Sequence, residues 1–600
     1  MSDQNIFMVL TSRGDKAASA LRLSHNSKWF CEGVGKVAQE PTISYRETTP
    51  AEGPQPHDTE QRSNDCLVVT LDKLLDLEDV QNGIQFGTNP TSSHILLGYR
   101  GTQGSSAKQY SIVVGNDLCI WLKDYYSSHG TAVGCDGQNE MEVRKNETWI
   151  LAREPGHKLL FRSTSMHAGS LIIEIEFPNH AAANPGYIKS LRAFAKKCRE
   201  SEALGPSVRG LELASGSTTQ APSNALTPGV RSLYYKAEVL GEGSCGRVRR
   251  VIKLRDGREL AAKIFDPSRI AGMGRRASLE NIRREFILMR DHPHPNVIEV
   301  FEMQEVPEPM IVMAYYPLGS IVNAGIFDND QHVSAFGQLL DALSHLHARN
   351  VVHRDLKPQN FLVEMRPRFR VVLADFGLAR VITDTTLLLT TFCGSLVYTA
   401  PEVFPGLGDG HGPAVDIWSL GVIILEWIYN IPKKLKLNRG ALERSNNMIE
   451  MLCDWGRTWT TMLLRRIDDQ EDDLVISILS HMIQFHAEDR WRAAKCLQQG
   501  FRNGLFKRRD ADNLVACANE SDGDDLLTED DGIKTPTAAG PSARAVSISS
   551  VGIDLEATID PEATIDLEAT IDPEATIDPE ATIDPEATID PEATIILENP

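Results

Sequence analysis

The feature that most constrains the fold of this 600-residue chain is a pair of motifs in its second half. VHRDLKPQNFL begins at residue 352, and ADFG begins at residue 374. Together they supply two carboxylates, an ammonium group and an amide, carried by Asp355, Lys357, Asn360 and Asp375. Oxygen donors of this kind suit hard cations such as Mg²⁺. Any fold of the chain must accommodate both motifs in this order and at this spacing.

Composition places the chain among ordinary multidomain globular proteins. Hydrophobic residues make up 42% and charged residues 24%, which excludes a wholly disordered, collagenous or membrane-embedded chain. The net charge of -21 arises in the segment from Asp510 to Pro600, which holds 24 acidic and two basic residues. The remainder is close to neutral, which argues against direct nucleic-acid binding.

Cysteine spacing and the first residues indicate the compartment. The ten cysteines include no Cys-x-x-Cys pair and no cluster at zinc spacing, so we expect free thiols. MSDQNIFMVL lacks the pattern of a secretion signal, and no run of about 18 apolar residues occurs. The sequence therefore predicts an intracellular protein of the nucleus or cytoplasm with no membrane partner.

Changes of pattern along the chain predict a multidomain organisation. Short strand-like runs between turns, from CLVVTLDKLLDL (66–77) through KLLFR (158–162) to SLIIEIEF (170–177), predict an all-β sandwich. The predicted regions are a flexible segment (1–65), the sandwich (66–178), an amphipathic helix and linker (179–231), a large catalytic-type domain (232–505), and a disordered acidic tail with EATIDP repeats (506–600).

A glycine-rich stretch opens the large domain between two strand-like segments. It reads Leu240, Gly241, Glu242, Gly243, Ser244, Cys245, Gly246, Arg247 and Val248. Glycine at three positions lets backbone N–H groups approach phosphate oxygens closely, and this context favours a hairpin that covers phosphates. Lys263 follows on the next strand and requires an anionic partner, for which we predict Glu285, with Glu280 as the alternative.

These motifs resemble those of the eukaryotic protein kinase family. HRDxxxxN, DFG, APE at 400–402 and DIWSLG at 416–421 occur in the family's order and spacing. The resemblance implies an α+β bilobal fold that uses ATP and Mg²⁺. Asp-Leu-Lys-Pro-Gln-Asn at 355–360 is similar to the Ser/Thr branch, which implies protein substrates with Ser or Thr hydroxyls.

The resemblance also implies roles for individual residues. Asp355 would be the catalytic base and Lys357 would neutralise the γ-phosphoryl group, while Asn360 and Asp375 would bind Mg²⁺. Lys263 would hold the α- and β-phosphates. The adenine pocket would be formed by Met313 as gatekeeper, Ala314, Tyr315 and Tyr316 of the hinge, and the apolar side chains of Val248, Ala261 and Leu362.

Two further predictions concern regulation and stability. Arg354 could pair with a phosphate in the segment between DFG and APE, where Thr391 is the best-placed acceptor and Thr390 the next. Arg490 is expected to pair with Glu402 in a structural role.

The β-rich region resembles a forkhead-associated domain, a sandwich that binds phosphothreonine peptides. FGTNP (86–90), SSAKQYSI (105–112) and SSHGTAV (127–133) carry the resemblance. The sequence departs from the family pattern at Thr88, Ala107, Gln109 and His129. Thr88 replaces an arginine that normally contacts phosphate. Ser106 and Lys108 could still bind a phosphothreonine partner, and a degenerate sandwich used for packing or protein contact is the alternative.

Two functions stay open at this point. One is an active Ser/Thr kinase, with an arrangement that resembles checkpoint-type kinases and fungal fusions of the same two modules. The other is a catalytically inactive kinase fold that serves as a scaffold. The intact set of Lys263, Glu285, Asp355, Asn360 and Asp375 favours the enzyme.

Overall fold

The computed structural model divides the chain into two units, Met1–Gly523 and Asp524–Pro600. The residues that it describes all lie in the first unit. They are 5–32, 65–102, 104–154, 160–178, 185–199, 231–243, 246–266, 275–325, 327–365, 368–376, 395–403, 412–431, 448–470 and 473–520. The predicted linker at 201–230 and the EATIDP repeats lie outside them.

The described part of the amino-terminal region contains two β-sheets and three α-helices. Its strands are β1 (Ile6–Arg13), β2 (Phe30–Cys31), β3 (Cys66–Thr70), β4 (Ile84–Gly87), β5 (Ile95–Leu96), β6 (Tyr110–Val114), β7 (Ile120–Asp124), β8 (Ala132–Cys135), β9 (Thr148–Ala152), β10 (Thr164–Ala168) and β11 (Leu171–Glu176). The helices are α1 (Asp15–Leu21), α2 (Leu71–Leu75) and α3 (Pro185–Arg199).

The two sheets have different strand orders and share one apolar core. One sheet runs β2-β3-β1-β11-β10-β8, and the other runs β5-β4-β6-β7-β9. Buried side chains of both sheets and of α3 form a single cluster. In α3, Leu191 and Phe194 face this cluster while Lys189 and Arg192 are exposed, as the predicted amphipathic pattern requires. We refer to this region as the sandwich.

The first strand differs from the predicted flexible segment. β1 pairs with β3 on one side and β11 on the other, and Phe7, Met8 and Leu10 are almost fully buried. An apolar run of this length cannot be assigned by periodicity alone. Its partners lie more than 50 residues away in the sequence. The sandwich therefore begins before residue 66.

Two of the predicted strands also differ from the structure. CLVVTLDKLLDL contains the five-residue strand β3 and then turns into helix α2. In the KLLFR segment, residues 160–162 form no strand, and residues 158–159 lie outside the described part. Alternating apolar residues in such short runs fit either a strand or a helix turn, and tertiary contacts decide between them.

The second half of the described chain has two lobes. The amino-terminal lobe contains β12 (Tyr234–Gly243), β13 (Gly246–Lys253), β14 (Glu259–Phe265), β15 (Val300–Gln304), β16 (Met310–Ala314) and the helix α4 (Arg275–Asp291). Its five strands form an antiparallel sheet in the order β12-β13-β14-β16-β15.

The carboxyl-terminal lobe is mainly helical. Its helices are α5 (Asn329–His347), α6 (Ala414–Tyr429), α7 (Met448–Asp468), α8 (Leu474–Met482) and α9 (Ala493–Arg502), and its strands are β17 (Phe361–Glu364), β18 (Arg370–Leu373), β19 (Phe506–Arg508) and β20 (Val515–Cys517). One large apolar cluster joins α5, α6, α8 and α9. Among the described residues, no helix is long and apolar enough to span a bilayer.

The hairpin β19–β20 places ordered structure inside the predicted acidic tail. Phe506 is buried against α5 and α9, where a side chain at Gly337 or Gly500 would collide with its ring. Arg509, though charged, is 2% exposed and forms ion pairs with Asp512 and Glu520. The described structure therefore continues through Glu520, beyond the predicted boundary at residue 505. Composition does not distinguish a buried, paired arginine of this kind from a solvated one.

Candidate active site

Three elements bring an ammonium group and two carboxylates together between the lobes. Lys263 on β14 places its Nζ 2.7 Å from Oε1 of Glu285 on α4 and 2.8 Å from Oδ1 of Asp375, which follows β18. The Lys263 side chain is only 16% exposed. Glu280, the alternative partner considered from the sequence, is exposed on α4. The lysine therefore links a strand, a helix and a loop.

Charge pairing controls the protonation of this cluster. Burial lowers the pKa of Lys263, but the attraction of Glu285 and Asp375 outweighs it, so the net shift is upward. Burial raises the pKa of Asp375, but the nearby Lys263 ammonium outweighs this effect and the pKa falls below its ordinary value. At Glu285 the effect of burial is the larger, so the pKa of that carboxyl is raised despite the neighbouring ammonium.

The loop between α5 and β17 holds a third carboxylate, that of Asp355, in a fixed position. The Nζ atom of Lys357 lies 2.7 Å from Oδ2 of Asp355. Asn360 donates from Nδ2 to the Asp355 carbonyl at 2.7 Å and to the same Oδ2 at 3.3 Å. The Oδ1 atom of the same amide is an oxygen that could act as a metal ligand. The loop thus collects a carboxylate, an ammonium and an amide within hydrogen-bonding distance.

Backbone strain marks both motifs. Arg354 and Asp375 adopt φ values of 68° and 64°, in the left-handed region that non-glycine residues seldom occupy. Such strain persists only where neighbouring contacts fix it. Here the fully buried carboxylate of Asp416 accepts the N–H groups of His353 and Arg354 at 2.9 and 2.8 Å, and it contacts His347 Nε2 at 2.9 Å. Asp416 therefore anchors the catalytic-type loop from α6.

The same loop is tied to the second motif through His353. Its Nε2 lies 3.1 Å from the Ala374 carbonyl oxygen. Its ring packs edge-to-face with the ring of Phe376, with 4.9 Å between the two ring centroids. The Ala374 N–H donates to the Asn360 carbonyl at 2.9 Å. These contacts explain why the two motifs need a fixed separation in the sequence, because each depends on the backbone of the other.

Strand register aligns the predicted nucleotide cleft. Val248 on β13 pairs with Lys263, which pairs with Ile311 on β16, and Ala261 lies opposite Met313. The glycine-rich stretch is the β12–β13 hairpin, as predicted. The other predicted residues of the cleft differ in exposure. Gly246 is buried, Ala314, Tyr316 and Leu362 are partly buried, and the exposed residues are Leu240, Gly241, Glu242, Gly243 and Arg247. Ser244 and Cys245 lie outside the described part.

The donor set suits Mg²⁺ that is shared with phosphates. Within the described residues, no group of three or more His, Cys, Asp and Glu side chains could hold a metal ion by itself. Asn360 and Asp375 offer one amide and one carboxylate at the edge of the cleft. Mg²⁺ usually takes one or two protein oxygens and completes its octahedron with phosphates and water, so the residues present fit such an ion.

Two regulatory and structural predictions have different outcomes. Arg490 forms a buried bidentate pair with Glu402, with N–O distances of 2.5 and 2.8 Å, which confirms the predicted contact. Thr390 and Thr391 lie outside the described residues.

Sequence reasoning missed the bracing role of Asp416 and His347. The only available signal was the position of Asp416 at the start of DIWSLG.

The predicted phosphopeptide residues lie at one end of the sandwich. The hydroxyl of Ser106 accepts the N–H of Ser128 at 2.8 Å, and Lys108 is exposed with its Nζ 4.0 Å from the Tyr125 ring centroid. Gln109 is buried and holds the loop through its amide, which accepts from the Ser106 N–H and donates to Gly130 and Thr131. Thr88 is buried, and Ala107 and His129 are exposed.

We predict that Asp416→Asn lowers the free energy of unfolding by about 2–4 kcal/mol at pH 7, because three donors lose a buried carboxylate. The pKa of Asp416 lies below its ordinary value despite burial, because His347 and the backbone N–H groups stabilise its anion. A lowered folded-state pKa gives stability that is present above the unfolded pKa and lost as pH falls through the folded pKa.

The wild type should therefore lose stability below about pH 5 more steeply than the variant. Urea denaturation between pH 3 and pH 7 measures both effects. Asp454→Asn on α7, whose side chain is 69% exposed, is the control and should change stability by under ~0.5 kcal/mol. Equal acid slopes for wild type and Asp416→Asn would contradict the bracing role.

Comparison with known proteins agrees with this geometry. Residues 234–502 match the family model described as protein kinase domain. CBL-interacting serine/threonine-protein kinase 24 of Arabidopsis thaliana is 31% identical over 251 residues, which are 41% of this chain and 55% of that protein. Serine/threonine-protein kinase cds1 of Schizosaccharomyces pombe is 30% identical over 278 residues, 44% of this chain and 58% of that protein.

A third relative covers less of each chain. SNF1-related protein kinase catalytic subunit alpha KIN12 of Arabidopsis thaliana is 34% identical over 235 residues, 37% of this chain and 46% of that protein. This chain thus spans about half the length of the curated relatives that it matches. The part from Tyr234 to Arg502 thus matches a protein kinase domain, a kind of domain that uses ATP and Mg²⁺.

Proposed function

We propose that this chain is an ATP-dependent serine/threonine protein kinase that transfers the γ-phosphate of ATP to protein hydroxyl groups. One observation carries the proposal: Lys263 lies within 2.8 Å of both Glu285 and Asp375. The paired lysine and the carboxylate of DFG must both be in place for phosphoryl transfer. Their joint contact supports an arrangement ready to receive nucleotide.

The residues of the catalytic-type loop have matching roles in the proposal. Asp355 accepts the proton of the substrate hydroxyl as its oxygen attacks the γ-phosphorus. Lys357, 2.7 Å from that carboxylate, neutralises charge on the transferring group. Asn360 and Asp375 hold Mg²⁺, which when bound supplies positive charge to the phosphate oxygens.

The nucleotide is held by the cleft between the lobes. The β12–β13 hairpin covers the phosphates with its backbone N–H groups, and Lys263 contacts the α- and β-phosphates. Adenine lies against the apolar side chains of Val248, Ala261, Met313 and Leu362, with the backbone of Ala314 and Tyr316 as polar partners. In the same proposal, a phosphate on Thr391, or on Thr390, pairs with Arg354 and orders its loop.

The choice of Ser/Thr hydroxyls rests on Lys357 and on the relatives. Lys357 stands two residues after Asp355, and all the relatives reported above are Ser/Thr-type kinases or SNF1-related kinases by their names. The competing proposal, a catalytically inactive scaffold, would need no ionised Asp375 and no paired lysine. The charge balance of the cluster favours the enzyme.

We predict that Asp355→Asn lowers the turnover of phosphate from ATP to a generic Ser/Thr peptide by about 10²- to 10⁴-fold, as expected when a general base is removed. Nucleotide affinity should change by less than about threefold, because Asp355 contacts the acceptor and not the adenosine. Transfer of labelled phosphate and binding of a fluorescent nucleotide, both with Mg²⁺, give the two values.

Asp454→Asn serves as a matched control, because it makes the same chemical change at an exposed position, and it should keep wild-type turnover. A wild-type protein that binds nucleotide but labels no substrate, or an Asp355→Asn variant with unchanged turnover, would favour the scaffold. Loss of nucleotide binding in the variant would indicate a structural defect and contradict the role of base.

A second proposed function concerns the sandwich as a reader of phosphothreonine in a signalling or checkpoint-like pathway. Ser106 and Lys108 present a hydroxyl and a cation at one end of the sandwich, and Ser128 joins the same loop cluster. The buried side chain of Gln109 connects these loops, because its amide group donates hydrogen bonds to Gly130 and Thr131. Thr88 is buried and carries no charge, so we expect weaker phosphate binding than an arginine would give.

We predict that the full chain binds a phosphothreonine peptide library with dissociation constants in the tens of micromolar or weaker, since one cation replaces a bidentate contact. The double variant Ser106→Ala/Lys108→Ala should weaken binding at least ~10-fold. The matched control Ser19→Ala/Lys189→Ala changes exposed residues on helices α1 and α3. Fluorescence anisotropy measures both. Equal binding of phosphorylated and unphosphorylated peptides would contradict the proposal and favour a packing role.

A further inference from the structure

The sheet of the amino-terminal lobe has two distinct ends. Gly243 and Gly246 form the tip of the β12–β13 hairpin, over the cleft. At the opposite end lie Tyr234, which begins β12, and Glu259, which begins β14. The turn at 254–258 connects β13 to β14 at this end. The sandwich contacts this end of the sheet, which we call the base of the hairpin.

The apolar part of this contact is continuous with the sandwich core. Leu254 has no exposed surface, and together with Leu233 it belongs to the apolar cluster of the sandwich. The Ile150 N–H donates to the Leu254 carbonyl at 2.8 Å, and the Leu254 N–H donates to the Leu233 carbonyl at 2.9 Å. Leu233 and Leu254 are thus buried in the apolar core of the sandwich.

Gly257 shows how close the two domains approach. Its φ is +71°, and a Cβ at this position would lie 2.7 Å from Cδ1 of Ile150. The left-handed turn favours glycine, and any larger residue would also displace the end of the Ile150 side chain. Close packing of this kind is typical of a domain interior.

Polar groups at the base are satisfied across the same contact. The side-chain amide of Gln138 accepts the Lys236 N–H at 2.9 Å and donates to the Lys236 carbonyl at 3.0 Å. Asn139 donates to the Tyr234 carbonyl at 3.1 Å. The sandwich thereby pairs with the first residues of β12 as a neighbouring strand would.

Charged and aromatic groups surround these hydrogen bonds. Arg153 contacts Glu259 at 2.6 Å and donates to the Gly257 carbonyl at 3.3 Å. The Tyr235 hydroxyl donates to Asp136 at 2.6 Å. Each of these pairs joins a sandwich residue to β12, β14 or the turn between β13 and β14.

From this joint we infer that the sandwich is a permanent structural partner of the nucleotide-binding lobe, which braces the base of the phosphate-covering hairpin. A module tethered only by the linker would not need Leu254 in its core or the Lys236 backbone paired by Gln138. Separation would expose the Leu254 side chain and leave the paired backbone groups to water. The inference concerns association and does not depend on catalysis.

A cut-linker experiment on the full chain tests the inference. A protease recognition site inserted between residues 210 and 220 allows the purified protein to be cleaved between the two domains. Size-exclusion chromatography over a dilution series then reports whether the halves stay together. We expect the halves to coelute at 1 µM protein, which requires a dissociation constant well below about 1 µM.

The variant Gln138→Ala/Arg153→Glu removes the amide pairing and opposes Glu259 with a like charge, from the sandwich surface alone. It should weaken association of the cut halves at least ~10-fold. The control Gln81→Ala/Arg100→Glu makes the same changes at exposed positions of the sandwich and should leave association unchanged. Circular dichroism of each cut protein confirms that both halves are folded.

A second measurement uses the uncut chain. The affinity for a fluorescent nucleotide should fall about three- to tenfold in Gln138→Ala/Arg153→Glu, because the hairpin loses its brace, and should be unchanged in the control. Separation of the folded wild-type halves at 1 µM would overturn the inference. Equal association, or equal nucleotide affinity, for the joint variant and the control would overturn the bracing role of these residues.

Discussion

The buried ammonium of Lys263 is the interaction on which the catalytic arrangement depends. An unpaired ammonium at this depth would lose its proton or move to solvent. Two carboxylates from separate elements, Glu285 and Asp375, prevent both outcomes. Because one belongs to α4 and the other follows β18, the position of a helix and the conformation of a loop are fixed by a single side chain. Nucleotide phosphates would meet this charge where the lobes join.

The carboxyl-terminal lobe supplies the matching rigidity. Asp355 follows a left-handed residue, and Asp375 is itself left-handed. Such backbone costs on the order of 1–3 kcal/mol per residue, and the buried carboxylate of Asp416 offsets this cost at the first motif through two backbone N–H groups. His353 then connects the first motif to the second. The strained backbone thus lies at Arg354 and Asp375, next to or within the residues whose side chains must be positioned for the proposed reaction.

The sequence predicts the cluster well because its signals are local. The pairing of Lys263 with Glu285 follows from one strand and one helix, and the HRD and DFG motifs each lie within a few residues. The sequence predicts poorly whatever depends on distant partners. β1 has an apolar run, but its neighbours β3 and β11 lie more than 50 residues away. Arg509 has the composition of a solvated residue, and Leu254 resembles any apolar residue of a turn, until the packed fold shows what surrounds them.

These distant contacts make the two domains one body in the first unit of the chain. The sandwich core contains Leu254, and the hairpin that would cover the phosphates begins at residues paired by Gln138. The lobe that is proposed to bind nucleotide thus has additional support at the base of the β12–β13 hairpin. Most of the acidic segment follows the hairpin β19–β20 in the sequence. In that hairpin, Arg508 pairs with Asp341, and Arg509 pairs with Asp512 and Glu520.

The most direct test of the central claim compares two glutamates of α4. Glu285→Gln keeps the shape of the side chain that pairs with Lys263 but removes its charge, whereas Glu280→Gln makes the same change at an exposed position. With Mg²⁺, ATP and a generic Ser/Thr peptide, kcat/KM should fall at least ~100-fold for Glu285→Gln. It should stay within about twofold of wild type for Glu280→Gln. Equal values for the two variants would contradict the account.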